Sequence, residues 1–362
     1  MDKGVHLKMK YKLAQVEDIL AAFNSIQQKQ ENTNLNLSRL STTVSSINTK
    51  VASQVDILKT QVYVFSSNMG WLGVWDLSAE SYIGFINVGA SDTAKLGIAG
   101  ETGTVFLLGD NGNKIFVIDP YLPGITRSLP FDSIASFVVS PDGQKAFISQ
   151  NNSSILTEVN VSTGKTVRQF TLPGTGLHLT MYPEDYLIYF SVADTKAVYS
   201  LQSLSGEVTK VFDLPNDAVK ITLYKFGNQF GLLVLNGSGD NAAVTRWDKN
   251  TNTTNTVQLA NTVDIVANPY TGLYYAASLQ NVLFLYPDGT VLKTVALNDT
   301  VRQLTLTADG NNLITLVSSD QNALNVDTIT GVSYNGPAAV YPLTQQTANL
   351  MAVQAQFGSS SN

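Results

Sequence analysis

The chain has 362 residues, 44% of them hydrophobic and only 14% charged, with a formal net charge of −6 and no cysteine. That length buries a core without disulfide staples. The charge, well below the roughly 25% of ordinary soluble proteins, excludes the clustered Lys and Arg that displace counterions from nucleic acid, and the missing thiols exclude thiolate metal sites.

Ser, Thr, Asn and Gln take the place of charge, giving a neutral polar surface suited to tight oligomers, glycan contact and extracellular settings. The charge is uneven: residues 1–60 hold eight Lys/Arg against five Asp/Glu, and the remainder fourteen against twenty-three. No apolar run reaches the roughly 18 residues of a membrane span, so no span is expected. The opening Met1-Asp2-Lys3-Gly4-Val5-His6 lacks the apolar stretch of a secretory signal. If the protein works outside a cell, it is expected to leave by another route, such as assembly into a virion.

From Val16 the apolar residues recur at spacings of three and four. Position a falls on Val16, Phe23, Gln30, Leu37, Val44, Val51 and Leu58, and position d on Ile19, Ile26, Thr33, Leu40, Ile47 and Gln54. A stripe of this length reads as coiled coil, and Ile at d disfavours parallel dimers. The expectation is a homotrimeric stalk over 13–60, after a short basic anchor peptide (1–12) carrying Lys3, Lys8, Lys10 and Lys12. Its oligomerisation residues would be Val16, Ile19, Phe23, Ile26, Leu37, Leu40, Val44, Ile47, Val51 and Leu58. A lone helix packed on the head, or an antiparallel hairpin breaking near Glu31-Asn32-Thr33-Asn34, stays open beside it.

From Gln61 a unit of about 38–44 residues repeats. One copy runs from Phe137-Val138-Val139 through the turn Ser140-Pro141-Asp142-Gly143 to an apolar strand, Lys145–Ser149, and a polar turn, Gln150–Ser153. A third strand ends at Asn160 before Ser162-Thr163-Gly164-Lys165, and a fourth runs Val167–Leu172. First-turn equivalents are Gly100–Gly103, Pro183–Asp185, Phe226–Asn228, Pro269–Gly272 and Asp309–Asn311. Third-strand ends are placed at Asp76, Asp119, Asn160, Asp248 and Asp327, with Asp288 offset. Gly, Asn and Asp supply the positive φ and side-chain bonds of tight turns. Seven copies of the later turns against six of the first predict a seven-bladed β-propeller over 61–357, followed by a disordered tail (358–362). Blade one lacks an inner strand, and Asn349–Ala355 is expected to supply it; Val51–Lys59 is the rival.

Ser140-Pro141-Asp142-Gly143 and Ser162-Thr163-Gly164-Lys165 resemble the blades of seven-bladed YVTN and WD-repeat propellers, although the WD signature itself is absent. The resemblance covers roughly 62–357 and implies architecture. Some YVTN-related propellers are lactonases or quinone-cofactor dehydrogenases, whose channels converge several carboxylates, His and Arg. Here the predicted inner strands are mostly apolar, Ser or Thr, with Lys220 and Arg302 as exceptions, which predicts a filled channel.

Only two histidines exist, His6 and His178. His178 alternates with Leu177, Leu179 and Met181 and reads as a packed core or channel residue, without a Gly-x-Ser-x-Gly elbow. Asp110-Asn111-Gly112-Asn113 and Gly239-Asp240-Asn241 are the fragments nearest to a calcium site, but both fall at hairpin turns. No catalytic residue, metal site or cofactor is expected. Sequons stand at Asn36, Asn151, Asn152, Asn160, Asn236, Asn252 and Asn298.

In organisation the chain resembles trimeric viral and phage attachment fibres: anchor, shaft, head. This likeness implies a non-enzymatic virion-surface spike that docks to a particle or baseplate protein through its N-terminus and to a host glycan or protein through its head. The exposed-looking candidates for that contact are Trp71, Asn111, Asn151, Asn152, Asp194 and Asp240, of which Trp71 also reads as a blade-packing residue. A cytoplasmic propeller scaffold and a lactonase-like enzyme are the alternatives.

Overall fold

A computed structural model describes most of residues 20–44 and residues 61–353 apart from short connecting segments (67–69, 77–80, 90, 92–94, 120–123, 183, 228, 298–299, 307–311, 319–326, 334–338 and 343–349). The chain divides into two units, Met1–Asp56 and Ile57–Asn362.

In the first unit the described residues between 20 and 44 are helical and exposed. No Gly or Pro occurs among residues 20–44, so neither helix breaker interrupts the helix there. Phe23, Ile26, Leu37 and Leu40 expose 58–62% of their surface and Val44 47%. Thr33, a polar member of the same stripe, donates its hydroxyl to the Lys29 carbonyl at 2.8 Å. The helix described is thus shorter than the stalk expected over 13–60, and no coiled coil is seen in this single chain. Val16, Ile19, Ile47, Val51, Leu58 and the anchor peptide lie outside the described residues, as do the rival strand at 51–59 and the tail at 358–362.

In the second unit the described residues form seven four-stranded antiparallel sheets. The first holds Gln61–Ser66, Trp71–Asp76 and Ser81–Asn87. The second holds Lys95–Ile98, Val105–Gly109, Lys114–Asp119 and Gly124–Pro130. The third holds Ile134–Val139, Lys145–Gln150, Ile155–Asn160 and Lys165–Thr171. Gly176–Tyr182, Leu187–Val192, Ala197–Gln202 and Val208–Asp213 make the fourth. Ala218–Phe226, Gln229–Asn236, Ala243–Asp248 and Thr253–Gln258 make the fifth. The sixth holds Thr262–Ala267, Tyr274–Ser278, Asn281–Leu285 and Val291–Ala296. The seventh holds Thr300–Leu306, Asn312–Ser318, Asp327–Ser333 and Ala339–Pro342.

The first sheet is completed by Leu350–Val353, which pairs antiparallel with Gln61–Ser66 from Val62↔Val353 to Phe65↔Leu350. The end of the chain therefore supplies the inner strand that the first unit of the repeat lacks. The innermost strands of the sheets touch in a closed cycle, with Leu350–Val353 between those of the seventh and second sheets. This is a β-propeller arrangement, in which the strand edges that stay unpaired are short and protected within the ring.

The core lies between sheets. One cluster joins Phe106, Leu108 and Ile115 of the second sheet to Phe137, Ala146 and Ile148 of the third. Another joins Tyr189 and Val198 of the fourth to Leu232 and Trp247 of the fifth. Covering both faces of a sheet demands strands apolar on both sides, which is why Val105–Gly109 is buried throughout. Outer strands are wetted; Thr253–Gln258 has no buried residue.

The Asx positions of the repeat close its turns. Asp142 Oδ1 accepts from the Gln144 N–H at 3.0 Å, Asp248 Oδ1 from the Asn250 N–H at 2.9 Å, and Asn268 Oδ1 from the Tyr270 N–H at 2.9 Å. Gly143, at φ 70°, could carry a Cβ only 3.2 Å from Ala99 Cβ and Thr102 Oγ1, so this turn requires glycine. One expected boundary is corrected: Asp327 opens the third strand of the seventh sheet and does not end it, since more residues separate it from the second strand than in the other copies.

Within the third sheet the carboxylate of Glu158, only 1% exposed, takes Lys145 Nζ at 2.8 Å and Arg168 Nε at 2.6 Å. Burial pushes its pKa up, but the two cations hold it below the ordinary value of 4.5. The folded chain therefore stays ionised at a pH where the unfolded one protonates. The stabilisation is complete above the unfolded pKa and drains away as pH falls through the folded one. Glu158→Gln is expected to cost about 2–4 kcal/mol at pH 7, with the deficit shrinking below about pH 4.5. Urea-unfolding midpoints of both proteins at pH 7 and in acid check this; a deficit that does not change with pH refutes it.

Candidate functional site

Strand alternation sorts the loops onto two faces. Loops between second and third strands share one face with the connections between sheets, and the remaining turns share the other. All six candidate contact residues fall on the first of these faces. Trp71 opens the third strand of the first sheet, while Asn111, Asn151, Asn152, Asp194 and Asp240 sit in the equivalent loops of the second to fifth sheets.

The structure gives most of them backbone duties. Asn111, Asn152 and Asp194 adopt φ of 53°, 57° and 61°, the left-handed region that Asn and Asp tolerate best. Asn111 takes part in a one-turn 3-10 segment whose Asp110 pairs with Lys114 at 3.1 Å. Asn151 ties its loop to the sheet connection, its N–H reaching the Ser133 carbonyl at 2.8 Å and its Nδ2 the Ser133 hydroxyl at 3.1 Å. The Asp240 carbonyl accepts Gln258 Nε2 at 2.8 Å. Trp71 is half-buried and packs on Phe85 of its own sheet, with ring centroids 5.6 Å apart. Asn111, Asn151, Asn152, Asp194 and Asp240 remain exposed. Among the sequons, Asn236 is fully buried and donates to Thr245 Oγ1 at 3.0 Å, which closes it to modification in the folded head. Asn252 is occupied accepting the Trp247 indole N–H at 3.0 Å.

The same face surrounds the mouth of the central channel. Inner strands of the third to seventh sheets all break register near their start, which leaves Ala135, His178 with Leu179, Val219, Val263 and Arg302 out of the ladder. Such bulges re-aim side chains. Val219 and Val263 are 40% and 47% exposed, and Arg302 is exposed beside them. His178 sits at φ 51°, an uncommon conformation for a non-glycine residue.

Polar bonds at this register stitch each sheet to the next. Lys95 of the second sheet donates to the Ala135 carbonyl of the third at 2.7 Å. Ser136 Oγ of the third accepts the Leu179 N–H of the fourth at 3.3 Å, and Ser149 Oγ donates to the Gly176 carbonyl at 2.6 Å. His178 bonds the backbone of Ala218 in the fifth sheet. Lys220 of the fifth meets Asp264 of the sixth at 2.5 Å, and the other Asp264 oxygen accepts the Leu304 N–H of the seventh at 2.7 Å.

Burial drives the Lys95 ammonium down to about 8. His178 is lowered to about 4, first by burial and then by the Lys95 charge, against the bond to Ala218. Lys95 and His178 stand on inner strands separated by a whole sheet, and the Lys95 charge still reaches the imidazole. The inner strands, expected from sequence to be apolar, Ser or Thr apart from Lys220 and Arg302, also carry the charged Lys95 and Asp264. The sequence signal for Lys95 was its place at the start of an inner strand, but its bond to the Ala135 carbonyl of the next sheet is invisible without the tertiary structure.

On the opposite face a cavity of about 390 Å3 opens between the second and third sheets, with Thr102, Thr104, Asp119, Arg127, Gln144 and Ser162 among its lining. No group of three or more His, Asp or Glu with metal-binding spacing occurs among the described residues.

Ring closure, sheet-on-sheet cores and the loop faces together define the class: this is a β-propeller protein. Solved structures agree on the fold. A dihydro-heme d1 dehydrogenase NirN in complex with DHE superposes with a TM-score of 0.60 at 9% identity, over 81% of this chain and 74% of that one. Hydrazine synthase of Kuenenia stuttgartiensis gives 0.59 at 10% identity, over 79% and 93%. A functionally unknown protein from Desulfotomaculum acetoxidans gives 0.64 at 14% identity, over 82% and 99%. Likeness at such identities concerns fold alone. No family model matches the chain, and no curated protein matches it.

Proposed function

We propose that the protein is a non-enzymatic attachment spike. Three chains join through the N-terminal helix, each carries a seven-bladed propeller with one blade per four-stranded sheet, and the propeller's loop face binds a glycan or protein on a host surface. The observation that carries the reading is the helix stripe: Phe23, Ile26, Leu37 and Leu40 leave more than half of their surface in water. An apolar seam of that length on a lone helix is unfavourable, and association with copies of itself removes it from solvent. Joining heads on one stalk then multiplies weak contacts, raising apparent affinity by orders of magnitude. A particle or baseplate protein would take the basic N-terminus, on the virion surface.

A binding role fits the use made of the head's buried carboxylates. Glu158 and Asp264 are each committed to an ion pair, which leaves them poor acid–base catalysts.

Light scattering of the purified full chain is expected to give a mass near three times 39.0 kDa. Paired Ile26→Asp and Leu40→Asp substitutions should reduce it to one chain without altering the melting of the head. A wild-type monomer would remove the stalk from the reading. A trimer that binds no cell surface, and is missing from purified particles, would remove the attachment role.

A further inference from the structure

We propose that the cavity between the second and third sheets binds a neutral sugar unit, with Arg127 and Thr104 donating to its hydroxyls and Asp119 accepting from them. The site lies on the face opposite to the one given to host attachment. It concerns a single head and a soluble sugar, and so depends on neither the stalk nor the attachment reading.

The walls of the cavity are tied together without a ligand. The Glu101 N–H donates to the Pro141 carbonyl at 2.9 Å, joining the first turn of the second sheet to that of the third. The Val161 N–H donates to the Gln144 carbonyl at 2.9 Å, joining the two turns of the third sheet on this face. Gly143 sits close against the neighbouring turn, where a Cβ would lie 3.2 Å from Thr102 Oγ1. The volume of about 390 Å3 falls at the small end of the roughly 300–1,000 Å3 of ligand sites, and walls already fixed lose little freedom on binding.

The lining departs from the repeat at two positions. Five sheets bulge between their third and fourth strands, and the inserted residues are Ile83, Thr126, Val167, Val211 and Leu292 in turn. Only the second sheet, at the cavity, inserts a hydroxyl. A bulge re-aims side chains, which lets the consecutive residues Thr126 and Arg127 both line the cavity. The following position differs as well. In the third sheet Arg168 stands opposite Glu158 and pairs with it at 2.6 Å, whereas in the second Arg127 stands opposite Val117. Arg127 is exposed, and its guanidinium has no hydrogen bond or ion pair among the described residues.

These groups suit hydroxyls better than an ion. Among the described lining residues only Asp119 and Arg127 are charged, and their charges cancel. The flanking turns add Glu101, Asp142 and Lys165, which offer no surplus to hold an anion. A carboxylate only accepts, a guanidinium only donates, and the Thr104 hydroxyl and Gln144 amide do both. Thr102 spends its proton on Thr104 Oγ1 at 2.9 Å, which leaves the Thr104 proton for a ligand. Each sugar hydroxyl donates and accepts at one atom, so neighbouring hydroxyls match such a mixed lining. Val117 and Val161, 5% and 7% exposed, supply a small apolar floor for the C–H face of the ring.

The test is saturation-transfer NMR on the intact chain, which observes ligand protons and so tolerates a large oligomer. The probes are the methyl glycosides of glucose, galactose and N-acetylglucosamine, with alanine as a zwitterion and acetate as a plain anion. Saturable transfer to at least one glycoside is expected, with millimolar affinity. Arg127→Leu should weaken it roughly tenfold or more. Thr126→Val, which installs the apolar residue type of the other bulges, should weaken it a few-fold while leaving the melting of the head unchanged. No transfer to any glycoside overturns the proposal. Transfer that both variants leave untouched overturns it too, because the sugar would then sit elsewhere on the head, the attachment face included. Transfer to alanine or acetate alone would make the cavity an amino-acid or anion site and would equally end the sugar reading.

Discussion

Deleting residues 350–353 is expected to abolish the closed head. Among the described residues these four give Gln61–Ser66 its only inner neighbour, through four paired positions. About four ladder hydrogen bonds at 0.5–1.5 kcal/mol each set the direct loss at roughly 2–6 kcal/mol. The consequence is larger than the bonds alone, because Val62, Tyr63, Val64 and Phe65 are at most 5% exposed in the closed ring, and an opened edge of this apolar character invites intermolecular pairing. The measurement is thermal unfolding and solubility of two truncations. Ending the chain after Phe357 should leave both unchanged, whereas ending it after Asn349 should lower the melting temperature steeply and promote aggregation. Equal melting of the two would show that the ladder does not hold the ring shut.

Asp264→Ala is expected to have the largest effect of any single substitution in the channel. The carboxylate is 4% exposed and joins three sheets, through Lys220 of the fifth, its own backbone in the sixth and Leu304 of the seventh. Removing it strands an ammonium and two N–H groups, a loss of about 3–5 kcal/mol. Lys220→Met should cost less, because the backbone donors still satisfy the carboxylate. The double variant should be more stable than the sum of the singles implies, by about 1–3 kcal/mol. Denaturant midpoints of the four proteins close the cycle; strict additivity would mean that Lys220 and Asp264 act independently.

The two effects share an origin. A ring of sheets fails at its weakest joint, and the described joints are of two kinds. Apolar clusters fill the spaces between sheets, and polar bonds at the bulge register lock the inner strands. The apolar joints tolerate single changes, since each spreads over many side chains. The polar joints and the terminal strand concentrate their contribution in a few atoms.

Much of the fold could be read from local chemistry. Turn positions such as Ser140-Pro141-Asp142-Gly143 are dictated by nearby atoms: Asp142 bonds the Ser140 hydroxyl at 2.5 Å and the Gln144 N–H at 3.0 Å, and Gly143 turns with φ 70°. Such requirements recur with every hairpin, so they print a period on the sequence. The need for an added inner strand was equally legible, because a missing first turn leaves an edge without a partner. Candidate contacts were legible only in part. Asn and Asp in the loops were recognised as exposed, but the left-handed backbone at Asn111, Asn152 and Asp194 accounts for those residue types before any ligand is considered.

What the sequence determined unaided is therefore what short-range physics imposes: a heptad stripe from spacing, hairpins from turn residues, doubly covered strands from unbroken apolar runs, and a repeat from their recurrence. What only the tertiary structure decided is which distant residues meet. Lys95 and Ala135, Lys220 and Asp264, and Val62 and Val353 lie 40, 44 and 291 positions apart. Their meeting depends on bulges that shift register by a residue or two and on a ring that returns the chain's end to its start. Neither event leaves a mark at the residues concerned, because pairing partners and the direction of a bulged side chain are properties of the assembled sheets.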